Sequence, residues 1–178
     1  MFSSECGLYD PCVLIDSGEL RVVELVLTIN KVQWLWTEMR KYRSLFSDLT
    51  RGDPSNFSSL ITLKDSYWLE IIGPEDDTIG IVYWTNLYQL IDADVHLMFF
   101  DRKPAEKVDL CKEIARLFFT RFPQCHRMTA TLPVIYHATI RLARRIGFVE
   151  EGTKRQCQLV GSKDVNEVIL SLLSEELR

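Results

Sequence analysis

Asp94 and His96 stand one residue apart in the run Ala93-Asp94-Val95-His96-Leu97-Met98, whose alternation of polar and apolar residues predicts a β-strand. Every second side chain of a strand points to the same face, so the carboxylate and the imidazole share one surface. A carboxylate near an imidazole raises its pKa and fixes its orientation, which makes the pair a candidate proton acceptor near neutral pH. The same pattern also describes a polar strand face turned to solvent. A second chemistry is anion binding: Arg102, Lys103 and Lys107 lead into a helical stretch, and Arg141, Arg144 and Arg145 form a basic surface on another. Metal chemistry has no support in the spacing. Cys6, Cys12, Cys111, Cys125 and Cys157 are scattered, and Cys125-His126 lacks further ligands. Cys111 falls on an apolar helix face and reads as inert core.

These groups need elements to hold them, and 178 residues at 47% apolar and 26% charged supply one ordinary core. A single domain over 1–178 is expected, with 1–19 as an N-terminal extension. Residues 20–28 predict a strand, and 31–47 an amphipathic helix capped by Asn30, with Val32, Leu35, Trp36, Met39, Tyr42 and Phe46 on one face. A short helix is expected over 56–63. A hairpin follows, 67–72 and 78–87 across Gly73-Pro74-Glu75-Asp76-Asp77, and then the strand 93–100. Helix 107–122, strand 127–132, helix 135–146 stopped by Gly147, and strands 154–160 and 165–172 complete the chain. The order β-α-α-β-β-β-α-β-α-β-β requires an α/β sheet of six to seven strands, mixed parallel and antiparallel, with about four helices.

The element order from about residue 20 onward resembles the GCN5-related N-acetyltransferase (GNAT) fold. The most specific local match is His137-Ala138-Thr139-Ile140-Arg141-Leu142-Ala143-Arg144-Arg145-Ile146-Gly147-Phe148, followed by Glu150-Glu151-Gly152-Thr153-Lys154-Arg155. It is similar to the N-x-x-(S/A)-x-x-(L/F)-x-x-x-G-F-x-x-E-G-x-x-R stretch of the branch that acetylates ribosomal-protein N-termini and of related phage and prophage enzymes. The resemblance implies acetyl-CoA as cosubstrate, no metal, and a pantetheine slot in a splay between strands 93–100 and 127–132. It places the cofactor against Phe99, Phe100, Arg102, Lys103, Ala105, Lys107, His137, Arg141 and Arg144. It also implies a general base on the strands beside the splay. Here that means His96 with Asp94, or Glu70 on the strand 67–72.

The chain departs from the family pattern at three places. The glycines of the (Q/R)-x-x-G-x-(G/A) phosphate loop are missing from 101–107, where Pro104 also removes one donor. His137 replaces the usual Asn. Ala143 stands at or beside the position of a Tyr that protonates the leaving thiolate, and Tyr136 is two turns away from it.

Charge points to the acceptor. Residues 1–100 hold 7 Lys/Arg and 15 Asp/Glu, net −8, and the remainder hold 14 and 10, net +4. An acidic N-terminal half favours a cationic amine, whether a protein N-terminus, a Lys side chain or a small amine. The preferred reading is therefore direct acetyl transfer to a primary amine. The competing one is a catalytically silent protein of the same fold, phage-encoded, serving as a binding or virion-associated component. No reader motif or aromatic interleaving accompanies the basic residues, which ranks nucleic acid below CoA. A homodimer or a phage-particle partner is left open. No run approaches the ~18 apolar residues of a spanning helix, and the N-terminus, with Glu5 and Asp10, lacks the features of a signal peptide, so a cytoplasmic location is expected, the host cytoplasm or the virion for a phage protein.

Overall fold

A computed structural model describes residues 12–41, 53–87, 91–100, 107–160 and 162–177. Among the described residues, eight strands form one sheet in the order β1-β2-β3-β4-β5-β6-β8-β7. They are β1 (Val13–Asp16), β2 (Arg21–Glu24), β3 (Tyr67–Ile72), β4 (Thr78–Thr85), β5 (Asp92–Phe99), β6 (Arg127–Pro133), β7 (Val149–Val160) and β8 (Lys163–Leu173). Helices α1 (Ile29–Met39) and α2 (Pro54–Ile61) cover one face, and α3 (Val108–Arg121) and α4 (His137–Ile146) the other. The mixed α/β architecture is the expected one, with eight strands where six to seven were expected. The additional strand is β1, within the segment read as an N-terminal extension. Its signal is short, Val13-Leu14-Ile15 before Asp16-Ser17-Gly18, where Gly18 at φ +83 donates its N–H to Asp16 Oδ1 at 2.8 Å.

Local chemistry explains most element ends. Thr28, not Asn30, caps α1, because helical backbone begins two residues earlier than the periodicity suggests and the Thr28 hydroxyl accepts from Lys31 N at 3.1 Å. Leu35 and Met39 bury the α1 face, with Val32 and Trp36 at its margin, while Tyr42 and Phe46 lie outside the described residues. Asp53 caps α2 ahead of Pro54. Gly147 ends α4 at φ +127, a conformation that favours glycine, and lets Phe148 turn back into the core.

Two apolar layers clamp the sheet. Toward α3 and α4, Trp84 stacks on Phe118 at 4.6 Å, among Leu69, Ile114, Leu170 and Leu172. Toward α1 and α2, Leu35, Met39, Phe57 and Ile61 meet Trp68, Ile81, Tyr83 and Met98. Burial of large side chains such as these contributes roughly 1.5–3 kcal/mol apiece. Gly80 lets β4 and β5 close up, since a Cβ there would lie 2.7 Å from the Met98 carbonyl oxygen.

Candidate active site

All neighbouring strands run antiparallel except β5 and β6. The parallel pair is in register only from Asp92/Arg127 to Asp94/Thr129. Beyond that, β5 stays with β4 as far as Phe99/Gly80, and β6 stays with β8 as far as Pro133/Glu167. The strands therefore part at Asp94/Thr129 and leave a wedge in the sheet. Peptide direction follows from the ladder. Phe100 N donates to Ile79 O at 2.7 Å and Val134 N to Asn166 O at 2.9 Å, so even-numbered residues on both strands face outward, to β4 and β8. The main-chain groups of Leu97, Phe99 and Thr131 consequently point into the wedge.

His96 lies one step beyond the apex, on the α1/α2 face. Trp68, Tyr83 and His96 are directly opposite one another across β3, β4 and β5, and their rings form one continuous stack. Trp68 and Tyr83 are 3.8 Å apart at 8°, Tyr83 and His96 4.4 Å apart at 12°. The stack stands the imidazole upright beside the wedge, with Nε2 3.5 Å from the Thr85 hydroxyl. Burial pushes the His96 pKa down to about 4, so the ring is neutral at pH 7.

Asp94 shares this face but does not touch the imidazole. It accepts a hydrogen bond from Asn86 Nδ2 instead. Residues i and i+2 on a strand are about 7 Å apart, whereas groups on adjacent strands approach within about 5 Å, so the carboxylate turns across the sheet. The expectation that Asp94 orients His96 is corrected accordingly. Thr85 occupies that place. Glu70, two strands from the wedge, is buried and accepts from Lys31 Nζ at 2.5 Å and from the Thr78 hydroxyl.

The expected cofactor contacts divide into three groups. Phe99 is buried in the α3/α4 layer under the Lys107 ammonium, 5.1 Å from the ring centroid, and Lys107 immediately precedes α3. Phe100 is partly buried on the opposite face, edge-on to Trp34. Exposed His137 and Arg141 start α4 one turn apart, while Arg144 is held by Glu150 at 2.5 Å. Arg102, Lys103 and Ala105 lie outside the described residues. Ala143 is buried in the core and brings no acid to the wedge. Among the described residues, no three His, Cys, Asp or Glu side chains converge as metal ligands.

One cluster escaped the sequence reading. Arg127 grips Glu151 at 2.7 and 2.5 Å and Asp92 at 3.1 Å, and Thr129 and Ser171 donate to the two carboxylates at 2.9 and 2.7 Å. The Arg127 hydrogen bonds hold Glu151 down at about 2. This cluster ties β5, β6, β8 and β7 together at the closed end of the wedge. Its members come from four strands, and only the Glu151-Gly152 motif marks any of them locally.

No protein-family model matches the sequence, and no curated protein matches it. Solved structures do. Spermidine N-acetyltransferase from Vibrio cholerae, in complex with CoA and spermine, is similar with a TM-score of 0.73 over 90% of this chain and 99% of its own, at 13% identity. The ribosomal-protein-S5-alanine acetyltransferase from Vibrio fischeri gives 0.69 over 92% and 98%, at 12% identity. The chain has the GNAT fold. The β5/β6 wedge stands where the resemblance to GNAT proteins places the splay. Identity this low carries the backbone and leaves the chemistry to this chain's own residues.

The half-buried imidazole has a consequence for stability. Unfolded His96 takes up its proton near pH 6.5, whereas the folded protein resists until about 4. The unfolded state therefore binds more protons between those values, and stability falls as pH drops from 6.5 toward 4. Urea unfolding at pH 7 and pH 5 is expected to show a loss of roughly 1–2 kcal/mol that His96→Gln removes. An equal loss in the variant would assign the effect to other groups.

Proposed function

We propose that the protein is an N-acetyltransferase that moves acetyl from acetyl-CoA directly to a primary amine. The observation that supports this most is the wedge between β5 and β6 with a neutral imidazole at its rim. The main-chain groups of Leu97, Phe99 and Thr131, which point into the wedge, suit an amide-bearing chain such as pantetheine. The first N–H groups of α3 beside Lys107, with His137 and Arg141 on α4, suit its phosphates. Acetyl-CoA supplies an activated thioester carbonyl.

The protein's own residues do the rest. The wedge holds the acceptor amine and the carbonyl at one point, which converts a bimolecular encounter into a positioned one. His96, held upright by Tyr83 and Thr85, takes the proton from the amine nitrogen as the carbon–nitrogen bond forms; the carbon–sulfur bond then breaks, and the departing thiolate takes its proton from solvent. Its ring is unprotonated at neutral pH and available as an acceptor. Glu70 is committed to Lys31 and Thr78 and is the weaker candidate. The acidic character of the N-terminal half favours a cationic acceptor, and the similar Vibrio cholerae enzyme is a spermidine acetyltransferase solved with spermine.

Buried Ala143 favours a second reading, a protein of this fold that binds without turnover. Isothermal titration with acetyl-CoA, followed by release of free thiol in the presence of amines, separates the two. Binding tighter than millimolar, weakened by Arg141→Ala and accompanied by thiol release, is the expected result. Tight binding without thiol release for any amine selects the silent protein. Binding no tighter than millimolar would overturn the site.

A further inference from the structure

Among the described residues, the carboxylates that surround the apex on the α1/α2 face are matched with cations, with one exception. Asp92 and Glu151 share Arg127, and Glu70 has Lys31. Asp94 is bonded only to a neutral amide: its Oδ2 accepts from Asn86, and among the described residues no cation reaches Oδ1. Asp94 is nonetheless half-buried at the point where β5 and β6 part. A partly desolvated carboxylate without a cation is costly, and a ligand that supplies one relieves that cost. Asn86 follows β4 at φ +62, a left-handed conformation that asparagine adopts more readily than most residues, and this sets the amide that steadies Asp94.

We propose that Asp94 anchors a second ammonium of the acceptor, so that the substrates are short aliphatic diamines or chains carrying a cation the same distance from the reacting amine. The inference rests on the acetyl-transfer reading for the position of that reacting amine. Asp94 and His96 are two residues apart on one strand face, a separation of about 7 Å, which the four-carbon chain of 1,4-diaminobutane can span. One amine then lies at His96 over the wedge and the other at Asp94 Oδ1. A monoamine of the same length leaves the carboxylate unmatched. Asp94 is thus a specificity residue, and it takes no part in proton transfer.

The test compares 1,4-diaminobutane with butylamine at saturating acetyl-CoA, in the wild type and in Asp94→Asn. The asparagine can still accept the Asn86 hydrogen bond, so the change removes charge and keeps the contact. The wild type is expected to favour the diamine in kcat/KM by about tenfold or more, as one charge-assisted contact allows. Asp94→Asn should abolish the preference through a higher KM for the diamine, with kcat and the butylamine kinetics retained. No preference in the wild type, or an equal loss for both amines in the variant, would overturn the assignment. Titration of both amines into the CoA-saturated protein separates this from the acetyl-transfer reading. If neither amine is acetylated but the diamine binds the wild type about tenfold more tightly than it binds Asp94→Asn, acetyl transfer fails and the anchor stands. If the diamine binds no better than butylamine, the anchor fails whatever the turnover.

Discussion

His96→Ala is expected to lower kcat by about 10²–10⁴ while leaving the affinity for acetyl-CoA unchanged, because in the proposed reaction the imidazole takes up the amine proton and has no part in holding the nucleotide. The range is that of a single positioned acid–base group. Alanine also removes the outer ring of the Trp68–Tyr83–His96 stack, so His96→Gln serves as the companion variant. It keeps a polar side chain of similar reach and loses the base. Both variants should be slow, and the glutamine one should retain most of the unfolding midpoint. The pH profile carries a second signature. With burial holding His96 at about 4, the wild type should show no inflection near 6.5. The rate should instead rise through neutral and alkaline pH as the free amine loses its own proton, whose pKa is about 10 for an alkylamine of the lysine type. Full activity in both variants would remove His96 from the mechanism.

Lys31→Met is expected to destabilise the protein by about 3 kcal/mol, the low end of the range for breaking a buried ion pair, because Lys31 keeps 27% exposure while Glu70 is 7% exposed. The physical cause is the carboxylate left behind in the α1/α2 layer with only the Thr78 hydroxyl to satisfy it. For a chain of this length the midpoint of thermal unfolding should fall by about 6–12 °C. The double variant Lys31→Met/Glu70→Leu should recover most of the loss, since neither charge then remains to be desolvated. A double variant as unstable as the single would show that packing around α1, and not the unmatched charge, is responsible. The same pair decides a catalytic question. Glu70→Gln keeps an acceptor for Thr78 and removes the negative charge, and activity within a few-fold of wild type would leave proton transfer to His96.

The elements could be read from the chain because their signals are local. The run Cys111, Ile114, Ala115 and Phe118 repeats at the helical period and is buried on α3, and Gly147 stops α4 because a positive φ suits glycine. Alternation in Asp94-Val95-His96-Leu97 was enough to put the two polar groups on one face of β5, the face covered by α1 and α2. The resemblance around Gly147-Phe148 and Glu151-Gly152 agrees with the GNAT fold that the backbone shows.

Partnership was decided in three dimensions. His96 stacks on Tyr83 and faces Thr85, Asp94 turns to Asn86, Glu70 closes on Lys31, and Arg127 gathers Asp92 and Glu151. Each of these pairs joins different elements, and their members are separated by up to 39 residues. Periodicity along one strand says which side a residue faces, but the register between strands says which residue it meets there. That register follows from the bulge at Ile71/Ile72, the close approach at Gly80 and the packing of the two apolar layers, none of which any short stretch of chain specifies. The wedge itself is such a product: β5 and β6 part after Asp94/Thr129 because each is held by its other neighbour, β4 on one side and β8 on the other.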